Sequence, residues 1–189
     1  MISKTNFFKI VEERRSIRRY KRFDIPQEDL RKTLEAARLA PSAGNNQPWR
    51  FIVVRDQKMK EFLAKSADQD FIADASVVVA VLGDPKTAPY WFLFDPMIAT
   101  EHMVLAATAL NYGTCWIGTL ADHVPENIDS VKEILKIPKD LSIICLVTIG
   151  VSNERPSARP RKSLQEICFD EVYGSESWVN KPQNGVMKY

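Results

Sequence analysis

At 189 residues, with 26 basic and 24 acidic side chains and a formal net charge of +2, the chain is long enough for one buried core and too evenly charged for the broad basic field of a nucleic-acid binder. Its three cysteines, Cys115, Cys145 and Cys168, are odd in number and widely spaced, two of them in apolar segments. This pattern points to reduced thiols in a cytoplasmic protein and matches no metal-ligand spacing. The stretch from Met1 to Arg14 mixes charged with apolar residues, so neither a secretory leader nor a membrane span is expected.

In chain order, Phe8 and Val11 stand three apart between Thr5 and Glu13, which predicts a short helix delivering the cluster Arg14-Arg15-Ser16-Ile17-Arg18 at its C-terminal end. Guanidinium forks fit phosphate oxygens and a serine hydroxyl adds a neutral donor, so this cluster suits a phosphorylated ligand. Asp24 before Ile25-Pro26 signals a helix start, and Leu30, Leu34 and Ala37 recur at helical spacing until Pro41 stops the run. That helix leads into Pro41-Ser42-Ala43-Gly44-Asn45-Asn46-Gln47-Pro48-Trp49, an ordered turn whose amides offer donors and acceptors to a flat heterocycle. Together the two clusters point to a phosphate-bearing aromatic cofactor.

Trp49 to Val54, Ser76 to Leu82 and Ile143 to Ile149 are short apolar, β-branched runs and read as buried strands, with a helix from about Gln57 to Ala67 between the first two. From Asp95 to Asn111 the chain is apolar on all sides. This predicts a helix buried around most of its circumference, either in a subunit interface or as the central helix of a monomer. Gly113 to Thr119 reads as a bend and a short apolar segment, and Ile128, Val131 and Leu135 mark a last helix before Pro138. Glu154 to Lys162, rich in Pro and Arg, reads as an extended loop. Glu101, His102 and His123 are read as rim or surface residues without a catalytic role. Strands alternating with helices indicate an α/β or α+β domain.

Four of these segments, in this order, resemble the nitroreductase-like flavoproteins: Arg14 to Arg18, Pro41 to Trp49, Asp95 to Gly118, and Arg159-Pro160-Arg161. The resemblance implies an α+β fold with a central, mostly antiparallel sheet flanked by helices; the chain length and the polar, weakly patterned residues beyond Gly174 set a single domain over 1–174 with a tail over 175–189. The resemblance also implies an obligate homodimer with FMN held between the subunits. Hydride would pass from NAD(P)H to flavin N5 and on to a nitroaromatic, a quinone or a similar small-molecule acceptor, in ping-pong fashion. Carried over residue by residue, Arg14, Ser16 and Arg18 would face the ribityl phosphate and the flavin edge, with Arg15 in the same cluster. Arg161 and Arg159 would close the phosphate site. Pro41, Ser42, Asn45 and Gln47 would reach the flavin from the other subunit, and the backbone of Ile117, Gly118 and Thr119 would lie near N5. The flavin performs the chemistry, so no side chain is assigned a catalytic role and no metal is expected.

Each charge-assisted hydrogen bond to the phosphate contributes roughly 1.5 to 3 kcal/mol, so three arginines suffice to anchor it. One departure stands out. Some branches of the family place an asparagine and a lysine before the strand that here begins at Ala75, whereas this chain has Ala67-Asp68-Gln69-Asp70-Phe71, leaving Arg18 to supply that charge. The missing lysine is the support for an alternative, a flavin-binding or flavin-sequestering protein with little turnover.

Overall fold

The run Val77-Val78-Val79-Ala80-Val81-Leu82 contains no polar side chain, a pattern that suits a strand covered on both faces. In the computed structural model, which describes residues 4–118, 128–176 and 179, this run forms the interior of β2 (Val77–Gly83), and all of its residues are buried. With β1 (Trp49–Val54), β3 (Gly113–Gly118) and β4 (Ser142–Gly150) it makes a four-stranded sheet of order β1-β2-β4-β3, antiparallel throughout. Trp49 pairs with Gly83, Val77 with Ile149, and Ile149 with Thr114. The Gly113 segment, expected as a bend, is therefore an edge strand. Thr114, Trp116 and Ile117 favour a pleated surface, and the glycines on either side hide that preference from a pattern reading.

Alternation along β2 sends Val77, Val79 and Val81 to one face and Val78, Ala80 and Leu82 to the other. The first face is covered by α2 (Gln27–Arg38) and α5 (Phe94–Ala109). The second is covered by α3 (Gln57–Ser66), α4 (Phe71–Asp74) and α6 (Ile128–Ile134). Helices on both faces of an antiparallel sheet make the α+β architecture that the resemblance implied. The helix before the arginine cluster is α1 (Lys4–Glu13). Asp24 does not cap α2: Pro26 occupies the N-cap without a side-chain bond, and Glu28 and Asp29 in the first turn complement the helix dipole.

Within one protomer α5 is buried along a single stripe, through Ala99, Met103, Val104 and Ala107, while Phe94 and Ile98 remain 56% and 41% exposed. The expectation of burial around most of the circumference is thus met by one copy on one side only. The single-turn helices α4 and α7 (Leu164–Ile167) were not expected, because four residues are too few to establish a period. Among the described residues, no helix is long and apolar enough to cross a membrane. The chain divides into two units, Met1–Pro156, which holds the sheet, and Ser157–Tyr189, in which a capping box between Ser163 and Glu166 starts α7. Thr119 and His123 lie outside the described residues.

Candidate functional site

After α1 the chain continues extended along the outer edge of β3. Ser16 bridges Thr114 in parallel, the Ile17 N–H donates to the Thr114 carbonyl at 2.8 Å, and Tyr20 bridges Ser152. Gly113 permits this approach, since a Cβ there would lie 2.8 Å from Ile17 Cγ1. Tyr20 fastens the segment from beneath, its buried hydroxyl donating to the Ile17 carbonyl at 2.7 Å and lying 2.8 Å from Thr148 Oγ1.

Arg14, Ser16 and Arg18 gather about Cys115. Burial pushes the Cys115 thiol up; Arg18 opposes the rise, Glu154 adds to it, and Arg14 and a Ser16 hydrogen bond oppose it. The Arg18 guanidinium stands 5.9 Å from the centroid of the Phe71 ring, a cation–π geometry. Neither Arg14 nor Arg18 has a carboxylate within ion-pair distance among the described residues. The nearby Glu154 is engaged by the backbone, accepting from the Arg18 N–H at 2.5 Å and the Arg19 N–H at 3.2 Å. The two guanidinium groups therefore remain free to meet an external anion. At the other end of β3, Gly118 is exposed, and a Cβ added there would meet no atom of the described residues within 4 Å. Cys115 is buried, and Trp116 packs, half-buried, against the core beneath α2 and α5.

The Pro41 to Trp49 turn is held by its own polar groups. Ala43–Asn45 form a 3-10 turn in which Gly44 and Asn45 have φ of 58° and 57°, and Gln47 beyond it has φ of 50°. Gln47 N–H donates to Ser42 Oγ at 3.0 Å, and Gln47 Nε2 donates to the Asn45 carbonyl at 3.0 Å and to Asn45 Oδ1 at 3.2 Å. The amides expected to address a heterocycle thus bond to each other within the protomer. Asp95, only 2% exposed, accepts from the Ala43 N–H at 3.2 Å and ties the turn to the first turn of α5. Asp95 escaped the sequence reading as a positioning residue, although an acid opening an apolar helix was a visible signal.

Register separates this turn from the arginines. It enters β1 at Trp49, level with Gly83, whereas Ser16 sits on β3 at Thr114, level with Val77. Four strand spacings across and six residues along put these two positions roughly 28 Å apart. One protomer therefore brings together Arg14, Ser16, Arg18, Ile117 and Gly118 along β3, and leaves Pro41, Ser42, Asn45 and Gln47 at the opposite corner of the sheet. In the second unit, Arg159 and Arg161 are exposed, and Arg161 Nη1 donates to the Pro160 carbonyl at 3.1 Å. Glu101 is exposed and His102 Nδ1 lies 3.3 Å from the Ala36 carbonyl, both rim positions.

Comparison with known proteins gives a consistent result. The Nitroreductase family profile matches residues 11–69 and 63–151. An Archaeoglobus fulgidus protein, provisionally named an NADH dehydrogenase/NAD(P)H nitroreductase, is 38% identical over 146 residues, which cover 75% of this chain and 83% of that one. Among solved structures, the FMN-dependent nitroreductase of Clostridium difficile R20291 is 32% identical with a TM-score of 0.76, over 81% of this chain and 91% of that one. The NADPH:FMN oxidoreductase of Vibrio harveyi, solved with NAD+, shares the fold at a TM-score of 0.80 and 21% identity, over 89% of this chain and 75% of that one.

Proposed function

The chain belongs to the nitroreductase family, and on that premise we propose that it is an FMN-dependent oxidoreductase using NAD(P)H as donor and a nitroaromatic, quinone or similar small molecule as acceptor. The observation that carries this reading is the arrangement along β3: the Arg14 and Arg18 guanidinium groups, without ion-pair partners among the described residues, with Ser16 between them at one end, and the exposed Gly118 at the other. From the level of Thr114 to Gly118 is four residues, about 13 Å. Cationic forks at one end and an exposed strand end at the other suit a rod-shaped cofactor with a phosphate at one end and a flat ring at the other.

The chemistry that FMN supplies when bound is hydride transfer, from NAD(P)H in one half-reaction and to the acceptor in the other. Arg14 and Ser16 would hold the phosphate, while the side chain of Arg15, between them in sequence, turns to the other side of the segment. Arg18, beside Phe71, places its charge in the stretch where other branches carry lysine, and so favours the added negative charge of reduction. The resemblance alone assigns Arg159 and Arg161 to the phosphate and Thr119 to the neighbourhood of N5; the single domain at 1–174 rests on the polar, weakly patterned sequence that follows it. A second copy of the chain supplies the Pro41 to Trp49 turn, which its own protomer holds at the far corner of the sheet, so the working unit is a homodimer. Three free thiols fit a reducing compartment, the cytoplasm.

One open face has to serve donor and acceptor in turn, since each places its reacting atom within about 3 to 3.5 Å of the same position. Steady-state kinetics with varied donor and acceptor should therefore give parallel double-reciprocal lines, with excess acceptor competing against donor. Intersecting lines would mean a ternary complex and refute the shared face. The lack of a lysine between Ala67 and Phe71 favours one second reading, a flavin-holding protein, which tightly bound FMN without turnover on any acceptor would support.

A further inference from the structure

A second cavity, of about 790 Å³, lies behind the arginine segment. Alternate side chains of extended chain face opposite sides, and the lining takes Arg15, Ile17 and Lys21 but none of Arg14, Ser16 and Arg18. The rest of the wall comes from the end of α5 through Tyr112 and from Val151 to Pro156 beyond β4. This cavity is therefore distinct from the β3 edge assigned to FMN.

Its charge is unbalanced. Arg15, Lys21 and Arg155 line it, and none of the three has an ion-pair partner among the described residues. The wall also holds two carboxylates, Glu154, which accepts from the Arg18 and Arg19 N–H groups, and Glu13, which pairs with Lys9 at 3.7 Å, so three cations face two anions and the lining keeps an excess of one positive charge. Arg15 is held in place, its Nη1 donating to the Glu12 carbonyl at 2.6 Å and the Arg14 carbonyl at 2.8 Å, while its buried Nε has no partner. A buried donor left unbonded is destabilising, and the excess cation adds repulsion. An anion in the cavity relieves that repulsion.

Size narrows the class of anion. Pockets of roughly 300 to 1,000 Å³ hold ligands larger than a lone phosphate, and Ile17, Tyr112 and Val151 add an apolar and aromatic wall suited to a heterocycle. We propose that this cavity is a second anion site, taking a phosphorylated metabolite of nucleoside-diphosphate size. Lys21 and Arg155 are its outer contacts and Arg15 its fixed inner one.

Isothermal titration of the full chain saturated with FMN, at constant ionic strength, tests this with ADP and inorganic pyrophosphate as parallel probes. The expected result is one saturable ADP site per chain, with pyrophosphate weaker at the same site. Lys21→Gln and Arg155→Gln should each weaken ADP by about tenfold, the loss of one charge-assisted contact, and leave the FMN content unchanged. Both side chains are exposed, so folding is not at stake, and Lys21→Arg should restore binding. Three results would overturn the site: no saturable heat with either probe, ADP affinity indifferent to both substitutions, or binding only when FMN is displaced. Equal affinity for the two probes would overturn the nucleoside part of the assignment. The readout is heat of binding, so a chain without reductase turnover would leave this result standing.

Discussion

Tyr20 controls how firmly the arginine segment sits on the sheet. Its ring packs over Gly150, where an added Cβ would come within 2.6 Å of Cδ1, and its hydroxyl serves both Ile17 and Thr148. Burial holds the Tyr20 phenol well above its ordinary value of about 10. The unfolded chain releases that proton near pH 10 and the folded chain keeps it. Stability is thus full below about pH 10 and falls as the pH climbs beyond. Tyr20→Phe is expected to cost about 1 to 3 kcal/mol at neutral pH, by stranding the Ile17 carbonyl and weakening the Thr148 network, and to flatten the alkaline fall. Urea unfolding at about pH 8 and about pH 11 checks both; an alkaline fall as steep in the variant as in the parent would contradict the assignment. Arg14, Ser16 and Arg18 were legible in the sequence because contiguous donors of one chemical type need no partner to be recognised. Glu154 and Asp95 were not, since their backbone partners stand 136 and 52 residues away.

At the scale of elements, β3 decides whether the site exists, because it carries the arginine segment on one side and the exposed Gly118 at its end. The three central apolar runs were readable as strands, and their antiparallel pairing followed from the resemblance. The strand character of Gly113–Gly118 was lost on a pattern reading, because glycines bound it, and Gly113 is present for close approach to Ile17 rather than for a turn. Gly113→Ala tests that account. Its methyl would sit 2.8 to 2.9 Å from three atoms of Ile17, a clash that pushes the segment off the strand. The expected result is a loss of about 1 to 3 kcal/mol in stability, as for an overpacked core, together with a clear fall in FMN affinity. Gly118→Ala, with no atom of the described residues within 4 Å of the added carbon, should leave stability nearly unchanged. Equal stability losses at the two glycines would contradict this reading of the edge.

For the molecule as a whole, the proposed homodimer would bring together what one protomer holds apart. In the protomer the polar turn and the arginines lie at opposite corners of one sheet, and α1 and α5, which pack together, expose Phe7, Phe8, Phe94 and Ile98. The apolar excess of α5 was legible in the sequence, but what covers it was not, since periodicity records how much of a helix is apolar and not whose surface meets it. Light scattering should report twice the 21.5 kDa chain mass, and Phe94→Glu with Ile98→Glu should release monomers that also lose FMN. Monomers that keep the cofactor would separate assembly from binding. The most direct test of the central claim, flavin-mediated reduction, is anaerobic mixing of the FMN-loaded protein with NADH or NADPH while the flavin absorbance is followed. The band should bleach with at least one donor and return when a quinone or nitroaromatic is added without oxygen; a band that stays oxidised with both donors would contradict the claim.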